Sequence, residues 1–308
     1  MKIHLDTDLG GDIDDLCALA LLLAHPDVEL TGITTAADEG GRRCGYVKYA
    51  LALAGRSDVP VAAGADVSLG CFRDRPGYPN DADYWPEPVA PSPNPLDDAF
   101  DLLTRSIESG ATVVGVGPYT NLAWLDRARP GLLAATPLYL MGFHVHPVPA
   151  GFPRWEIDTD YNVQMDVAAA RHLLFAHAPT VIPLELTAQT SVRRAYLPGL
   201  RQSGPLGALL ARQAEAFARD ERHEATYGQT CAGLPDDTIN FLHDPLAVAV
   251  ALGWDGVRFA TLPLRPEINA AGDLRAAIAP DGKPTRVGVA VDGNAFNDWW
   301  YQTVSGGS

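Results

Sequence analysis

Two hydrophobic rhythms alternate through the first two thirds of the chain. Lys2-Ile3-His4-Leu5 reads as a short strand and Leu16 to Ala24 as an apolar helix. Val28 to Ala37 reads as a strand, Arg42 to Ala54 as a helix with apolar residues at helical spacing, and Val59 to Gly64 as a third strand. This β-α-β-α-β order predicts a parallel sheet with right-handed crossovers, whose ligands lie beyond the carboxyl ends of the strands. The same rhythm predicts a helix near Leu96 to Ser109, a strand from Thr112 to Gly117, a turn at Pro118 to Asn121 opening a helix, and a buried strand from Pro137 to Phe143. After a loop from His144 to Asp160 come a helix over Val167 to Ala176, an extended stretch over Val181 to Leu186, an amphipathic helix over Leu197 to Arg222, and a helix over Asp237 to Leu252. The last part changes character. Val257 to Pro266, Leu274 to Ala279 and Arg286 to Asp292 read as strands joined by tight turns, followed by a closing helix with Trp299 and Trp300. The fold class expected is α/β: a mostly parallel central sheet flanked by helices, with a small antiparallel addition near the C-terminus, in one domain spanning residues 1–308.

Residues 66–95 break the rhythm, with dense Pro, Gly, Asn and Asp around Tyr78, Tyr84 and Trp85. Such a stretch reads as a flap over the rim of the sheet or as a surface excursion.

Composition narrows the chemistry. A formal charge of −15 disfavours nucleic acid or an anionic membrane as partner and leaves uncharged small molecules open. Cys17, Cys44, Cys71 and Cys231 are widely spaced with no CxxC pair, as expected of reduced thiols in a cytoplasmic protein. A strand that begins right after Met1 leaves no room for a signal peptide, and no apolar run reaches membrane-spanning length.

The densest chemistry sits between the first strand and the first helix. Residues 6–15 contain five aspartates, Asp6, Asp8, Asp12, Asp14 and Asp15, more than helix capping requires. At close range they repel one another unless a cation or a proton intervenes. The turn has no GxxxxGK[ST] and no lysine, so it is not built to cradle phosphate. Carboxylates are hard oxygen ligands suited to Ca²⁺ or Mg²⁺.

Four oxygen-bearing turns fall on the same expected rim: Asp8 to Asp15, Gly117-Pro118-Tyr119-Thr120-Asn121, Asp160-Tyr161-Asn162 and His243-Asp244-Pro245. With Gly32-Ile33-Thr34-Thr35-Ala36, Asp58-Val59-Pro60-Val61-Ala62-Ala63-Gly64-Ala65 and Leu140-Met141-Gly142, they stand in the order found in the inosine-uridine preferring nucleoside hydrolases. The chain resembles that family over most of its length. The resemblance implies a Ca²⁺ ion held by carboxylates of Asp8, Asp15 and Asp244 and by the main-chain carbonyl of Thr120. It also implies Asp8 as the base that deprotonates a water made acidic by the ion, and Asp14, Met141, Asp160 and Asn162 as holders of the sugar hydroxyls. His243 falls where the family places a residue beside the leaving base. The implied reaction turns a ribonucleoside into free base and ribose, in a protein that is a homodimer or homotetramer.

Three departures bear on substrate. Two extra residues separate Asp8 from Asp14-Asp15, which makes Asp12 an alternative to Asp14 at the sugar. Glu39, preceded by Asp38, stands where the family often has asparagine, which places an acid near the ribose. The loop position upstream of Asp160 falls at Arg154 or Trp155. Trp155, His223 and Tyr227 are candidates for a stacking surface around the base. Two other readings compete: a nucleoside or ribose binder without turnover, and a haloacid dehalogenase-like phosphatase with Asp6 as nucleophile.

Overall fold

The computed structural model describes residues 1–70 and 81–306; Cys71 and Tyr78 lie outside the described residues. The strands are β1 (Lys2–Thr7), β2 (Glu29–Thr35), β3 (Val61–Ala63), β4 (Thr112–Gly115), β5 (Leu138–Met141), β6 (Thr180–Ile182), β7 (Ser191–Arg193), β8 (Thr238–Phe241), β9 (Val257–Ile268), β10 (Leu274–Ile278) and β11 (Lys283–Val291). Nine of them form a sheet in the order β10-β9-β11-β6-β5-β4-β1-β2-β3. From β3 to β11 every neighbouring pair is parallel. β9 runs antiparallel to both β10 and β11, which is the expected C-terminal addition. β7 and β8 pair separately as an antiparallel ribbon.

β1 sits between β2 and β4, so the crossovers leave it in opposite directions and open a crevice at its carboxyl end. Both faces of β1 are buried, and its polar residues therefore need internal partners. Thr34 donates its hydroxyl to Asp6 Oδ1, which also accepts from Asn121 Nδ2 at 2.8 Å. With that proton spent, His4 Nε2 is the donor to Thr34 Oγ1 at 3.0 Å, and His4 Nδ1 accepts from Ser106 Oγ at 2.9 Å. Burial alone lowers His4 to about 3, so the ring stays neutral. This polar chain ties the strand ends together directly beneath the acidic turn.

The helix Asp14–Ala24 is apolar nearly all round because it is covered on several sides. It packs on the helix His243–Ala251, on Pro205–Glu221 and on the closing helix Gly293–Ser305. Trp300, fully buried on the closing helix, donates its indole N–H to the carbonyl of Cys17 at 3.2 Å.

Some expected boundaries move. The stretch read as one helix from Asp237 begins with β8, because Thr-Ile-Asn-Phe is β-prone and pairs with β7; the helix starts at His243. Leu197 to Arg222 is two helices, Leu197–Gln202 and Pro205–Glu221, broken where Gly204 adopts φ +114° before a helix-opening proline. The extended stretch from Val181 stops at Ile182, and Pro183 leads into a helical turn, Leu184–Thr187. The described part of the irregular segment is strapped down: Trp85 stacks on Tyr46 at 4.5 Å, and Tyr84 donates its hydroxyl to Asp220 at 3.1 Å. Cys17 and Cys44 are buried thiols, and Cys231 is half-buried and also free. Among the described residues no helix is long and apolar enough to cross a membrane.

Replacing Trp300 by Ala is expected to destabilise the protein by about 3–5 kcal/mol, read as a fall in the urea midpoint at unchanged slope. A Trp300→Phe variant, which keeps most of the buried ring and loses the bond to Cys17, is expected to lose less.

Candidate active site

The carboxyl ends of β1, β4 and β5 open into a cavity of about 550 Å³. One side of it is acidic. Asp8, Asp12, Asp14, Asp15, Asp160 and Asp244 line it, with Asn162, Met141 and Arg43. The other side is aromatic, formed by Tyr84, Trp155, Phe217, His223, Tyr227, Phe241 and His243.

Each acid is placed by a backbone feature. Asp8 follows β1 and faces Gly117, where a Cβ would come within 2.8 Å of both its amide nitrogen and Oδ1; only glycine lets the two turns approach so closely. Asp14 and Asp15 open the first helix, and Asp14 receives further order from its own N–H, which donates to Asp12 Oδ1 at 3.0 Å. Asp15 Oδ1 accepts from the Thr7 hydroxyl and from the N–H of Asp8 at 3.2 Å. Asp244 lies in the first turn of its helix, where Pro245 needs no hydrogen-bond acceptor. Asp160 caps the short helix Tyr161–Met165 through Oδ1, which accepts from the N–H of Val163 at 3.2 Å. Its buried Oδ2 has no hydrogen-bond partner among the described residues. Asn162 donates to the carbonyls of Val116 (2.9 Å) and Met141 (3.1 Å), bolting the loop to β4 and β5.

Asp14, Asp15 and Asp244 each offer an oxygen within 4.8 Å of the others. Burial pushes all three far above the usual carboxylate range, and the neighbouring negative charges push the same way. Hard oxygen donors this close and this poorly solvated form a set that a divalent cation fits, because its charge replaces the missing solvation. Asp8 is raised to about 6 by burial, opposed by the Arg43 guanidinium 3.6 Å from Oδ2 and reinforced by Asp12.

The expected set is therefore rearranged in part. The compact acid group contains Asp14, read as a sugar ligand, rather than Asp8, which lines the same cavity beside Arg43. Asp12 and Asp14 both reach the cavity. Thr120 opens the helix Thr120–Ala128 but its side chain does not cap it; the hydroxyl donates to Asp166 Oδ2 at 2.7 Å, and Thr120 does not line the cavity. Glu39 is a correction: it is exposed on the surface turn Glu39–Gly41 and does not line the cavity. The reason is Asp38, which is buried and accepts from the Thr35 hydroxyl and from the N–H groups of Arg43 and Cys44, turning the chain so that Arg43 points inward. Trp155 lines the cavity and Arg154 is exposed.

The aromatic side is closely knit. Trp155 meets Phe241 at 4.7 Å, and its indole N–H donates to the Tyr227 hydroxyl at 3.1 Å. Phe241 stacks on His243 at 5.5 Å. Arg43, Phe217, Phe241 and Tyr84 were not legible as site residues. Phe241 precedes His243 by two positions, but reading its segment as helix hid its shared face with that residue.

The family model for inosine-uridine preferring nucleoside hydrolase matches residues 3–298. A pyrimidine-specific ribonucleoside hydrolase, RihA, of Klebsiella pneumoniae is 28% identical over 305 residues, covering 95% of this chain and 88% of that protein. An uncharacterized protein of Schizosaccharomyces pombe is 29% identical over 315 residues, covering 97% and 90%. Among solved structures, a plant nucleoside hydrolase superposes with a TM-score of 0.82 at 22% identity over 99% of this chain and 98% of the other. A purine-preferring ribonucleoside hydrolase of Gardnerella vaginalis does so with a TM-score of 0.77 at 23% identity, again over 99% and 98%. Matched along almost its whole length, the chain belongs to the inosine-uridine preferring nucleoside hydrolase family, enzymes that act on N-glycosyl bonds.

Proposed function

We propose that this enzyme hydrolyses the N-glycosidic bond of a ribonucleoside with Ca²⁺ bound at the acidic end of the cavity. The observation that carries the reading is the buried group Asp14, Asp15 and Asp244, three carboxylates whose oxygens converge where the sheet opens. Asp8 and the Thr120 carbonyl are the further oxygen donors that the sequence resemblance contributes to this set. When bound, Ca²⁺ supplies charge neutralisation and Lewis acidity toward oxygen ligands, of which it takes six to eight.

The chain's own residues divide the rest of the work. Asp8 is the base: Arg43 favours its ionised form, and burial makes that carboxylate a better proton acceptor than one in water. It takes the proton of the attacking water, whose oxygen bonds to the anomeric carbon. Asp12 and the unpaired Oδ2 of Asp160 accept from sugar hydroxyls, with Asn162 and Met141 closing that side. As the bond to the base breaks, positive charge grows on the sugar, and surrounding carboxylates stabilise it. Trp155, Tyr227, Phe217 and Phe241 enclose the planar base, and His243 faces it. The phosphatase reading finds no support in the geometry. Asp6, its nucleophile, is fully buried, holds Thr34 and Asn121 through Oδ1, and does not line the cavity.

A panel of purine and pyrimidine ribonucleosides, assayed for free base with and without EDTA, tests the function. Base release that EDTA abolishes and Ca²⁺ restores is the expected result, and release from none of them overturns the reading. Asp8→Asn is expected to lower kcat by about 10²–10⁴-fold, measured on whichever nucleoside the panel identifies.

Proton linkage gives a further expectation. Burial raises Asp6, Asp160 and Glu185 to about 7 and lifts Asp14, Asp15 and Asp244 well above their ordinary range. The metal-free native state thus binds protons that the unfolded chain has already released, so its stability rises as pH falls from about 8 to 6.5. Urea melts across this window are expected to show that rise for EDTA-treated protein and a smaller one with saturating Ca²⁺.

A further inference from the structure

The helical turn Leu184–Thr187 contributes one hydroxyl to the site from behind. Thr187 is fully buried, and its Oγ1 lies 2.7 Å from Nδ1 of His243 and 3.1 Å from the carbonyl oxygen of Leu184. A hydroxyl has a single proton. Thr187 donates it to the Leu184 carbonyl three residues back, as helical threonines do. The contact with His243 is then a hydrogen bond only if Nδ1 carries the hydrogen and Thr187 accepts it.

The surroundings keep this geometry. Thr190 Oγ1 lies 2.8 Å from the carbonyl oxygen of Thr187 and 3.2 Å from that of Leu242, its one proton within reach of both, which joins the turn to the residue just before His243. Phe241 and Trp155 flank the imidazole, each at 5.5 Å between ring centroids. Nε2 has no hydrogen-bond partner among the described residues, and His243 lines the cavity.

We infer that Thr187 is a positioning residue that holds His243 as the Nδ1–H tautomer, with the Nε2 lone pair left for the departing base. The inference rests on the reading above, in which His243 faces that base. The second ring nitrogen is set by the bond the first one makes, a general property of functional histidines. In the reaction the C1′–N bond breaks and its electron pair goes to the base nitrogen. Nε2, having first taken up a proton from solvent on its lone pair, passes that proton to the base nitrogen, while Nδ1 keeps its own proton on Thr187, and the ring returns to the neutral Nδ1–H form. The oxygen of water bonds to C1′, and the proton it loses goes to Asp8, so charge and atoms balance. Without Thr187 the ring is free to place hydrogen on either nitrogen and to rotate, which misaligns Nε2.

The test has a readout independent of turnover. In ¹⁵N-resolved NMR of the full chain, with His243 signals assigned by their loss in His243→Gln, the neutral ring is expected as Nδ1–H in wild type and in Thr187→Ser. Thr187→Val is expected to show mixed or Nε2–H tautomers. A neutral wild-type ring carrying hydrogen on Nε2 overturns the inference even if nucleosides are hydrolysed. Kinetically, Thr187→Val is expected to lose about 10–100-fold in kcat on the nucleoside with KM little changed, and Thr187→Ser to restore most of it. p-Nitrophenyl riboside, whose leaving group departs as a stable anion without a proton, is expected to be cleaved by Thr187→Val nearly as fast as by wild type. Equal losses on both substrates, or no loss on either, overturn the inference. If no nucleoside is cleaved by wild type, the proposed function fails, and the tautomer measurement still decides the role of Thr187.

Discussion

Asp14, Asp15 and Asp244 are buried together at the mouth of a sheet, each with a carboxylate oxygen within 4.8 Å of the others, and all three are pushed well above the usual carboxylate range. Desolvation and mutual repulsion act in the same direction, so the group holds protons or it holds a cation. Much of the architecture is explained by the need to keep these acids converged in spite of that tension. The polar chain from Ser106 through His4 and Thr34 to Asp6 and Asn121 braces the strand ends below them. The closing helix clasps the first helix through Trp300 and Cys17, so the last elements of the chain help to fix the first acids.

Arg43 modifies this picture. A buried guanidinium beside Asp8 favours the ionised carboxylate against the pull of burial, whereas burial pushes Asp14, Asp15, Asp160 and Asp244 toward protonation. The rim therefore contains a carboxylate whose neighbour draws it toward the ionised form beside a group that burial and like charge draw the other way. That contrast follows from the placement of the Arg43 guanidinium, delivered by the Asp38 turn.

The parallel sheet, the antiparallel addition and the acidic turn were legible in the sequence because each rests on a local signal: alternating periodicity, tight turns, and charge density beyond capping needs. Asp8, Asp15, Asp160 and Asn162 were named from the family resemblance, and they line one cavity because the strand ends of a parallel sheet share one edge. Glu39 was misplaced because the side chain that turns inward there depends on which residue captures the free N–H groups of the next helix, and Asp38 does so. Asp12 and Asp14 could not be ranked at the sugar, since a two-residue insertion alters spacing without disclosing the path of the turn, and both reach the cavity. The aromatic half was only partly visible. Trp155, His223 and Tyr227 come from distant segments, and Phe241 lies on a strand whose partner, β7, is short and carries no strong pattern of its own.

β8 pairs with β7 and not with the nine-stranded sheet. Phe241 thus enters the cavity from a ribbon with its own register, and His243 and Asp244 from the start of the helix that follows it, while Asp8, Asp14, Asp15 and Asp160 enter from the carboxyl edge of the main sheet. The ribbon and the helix after it therefore carry both a ring of the aromatic wall and one of the three converged acids, so a shift in the ribbon's register moves the two together. A scaffold joined in this way ties the shape of the aromatic wall to the convergence of the carboxylates, so neither drifts alone.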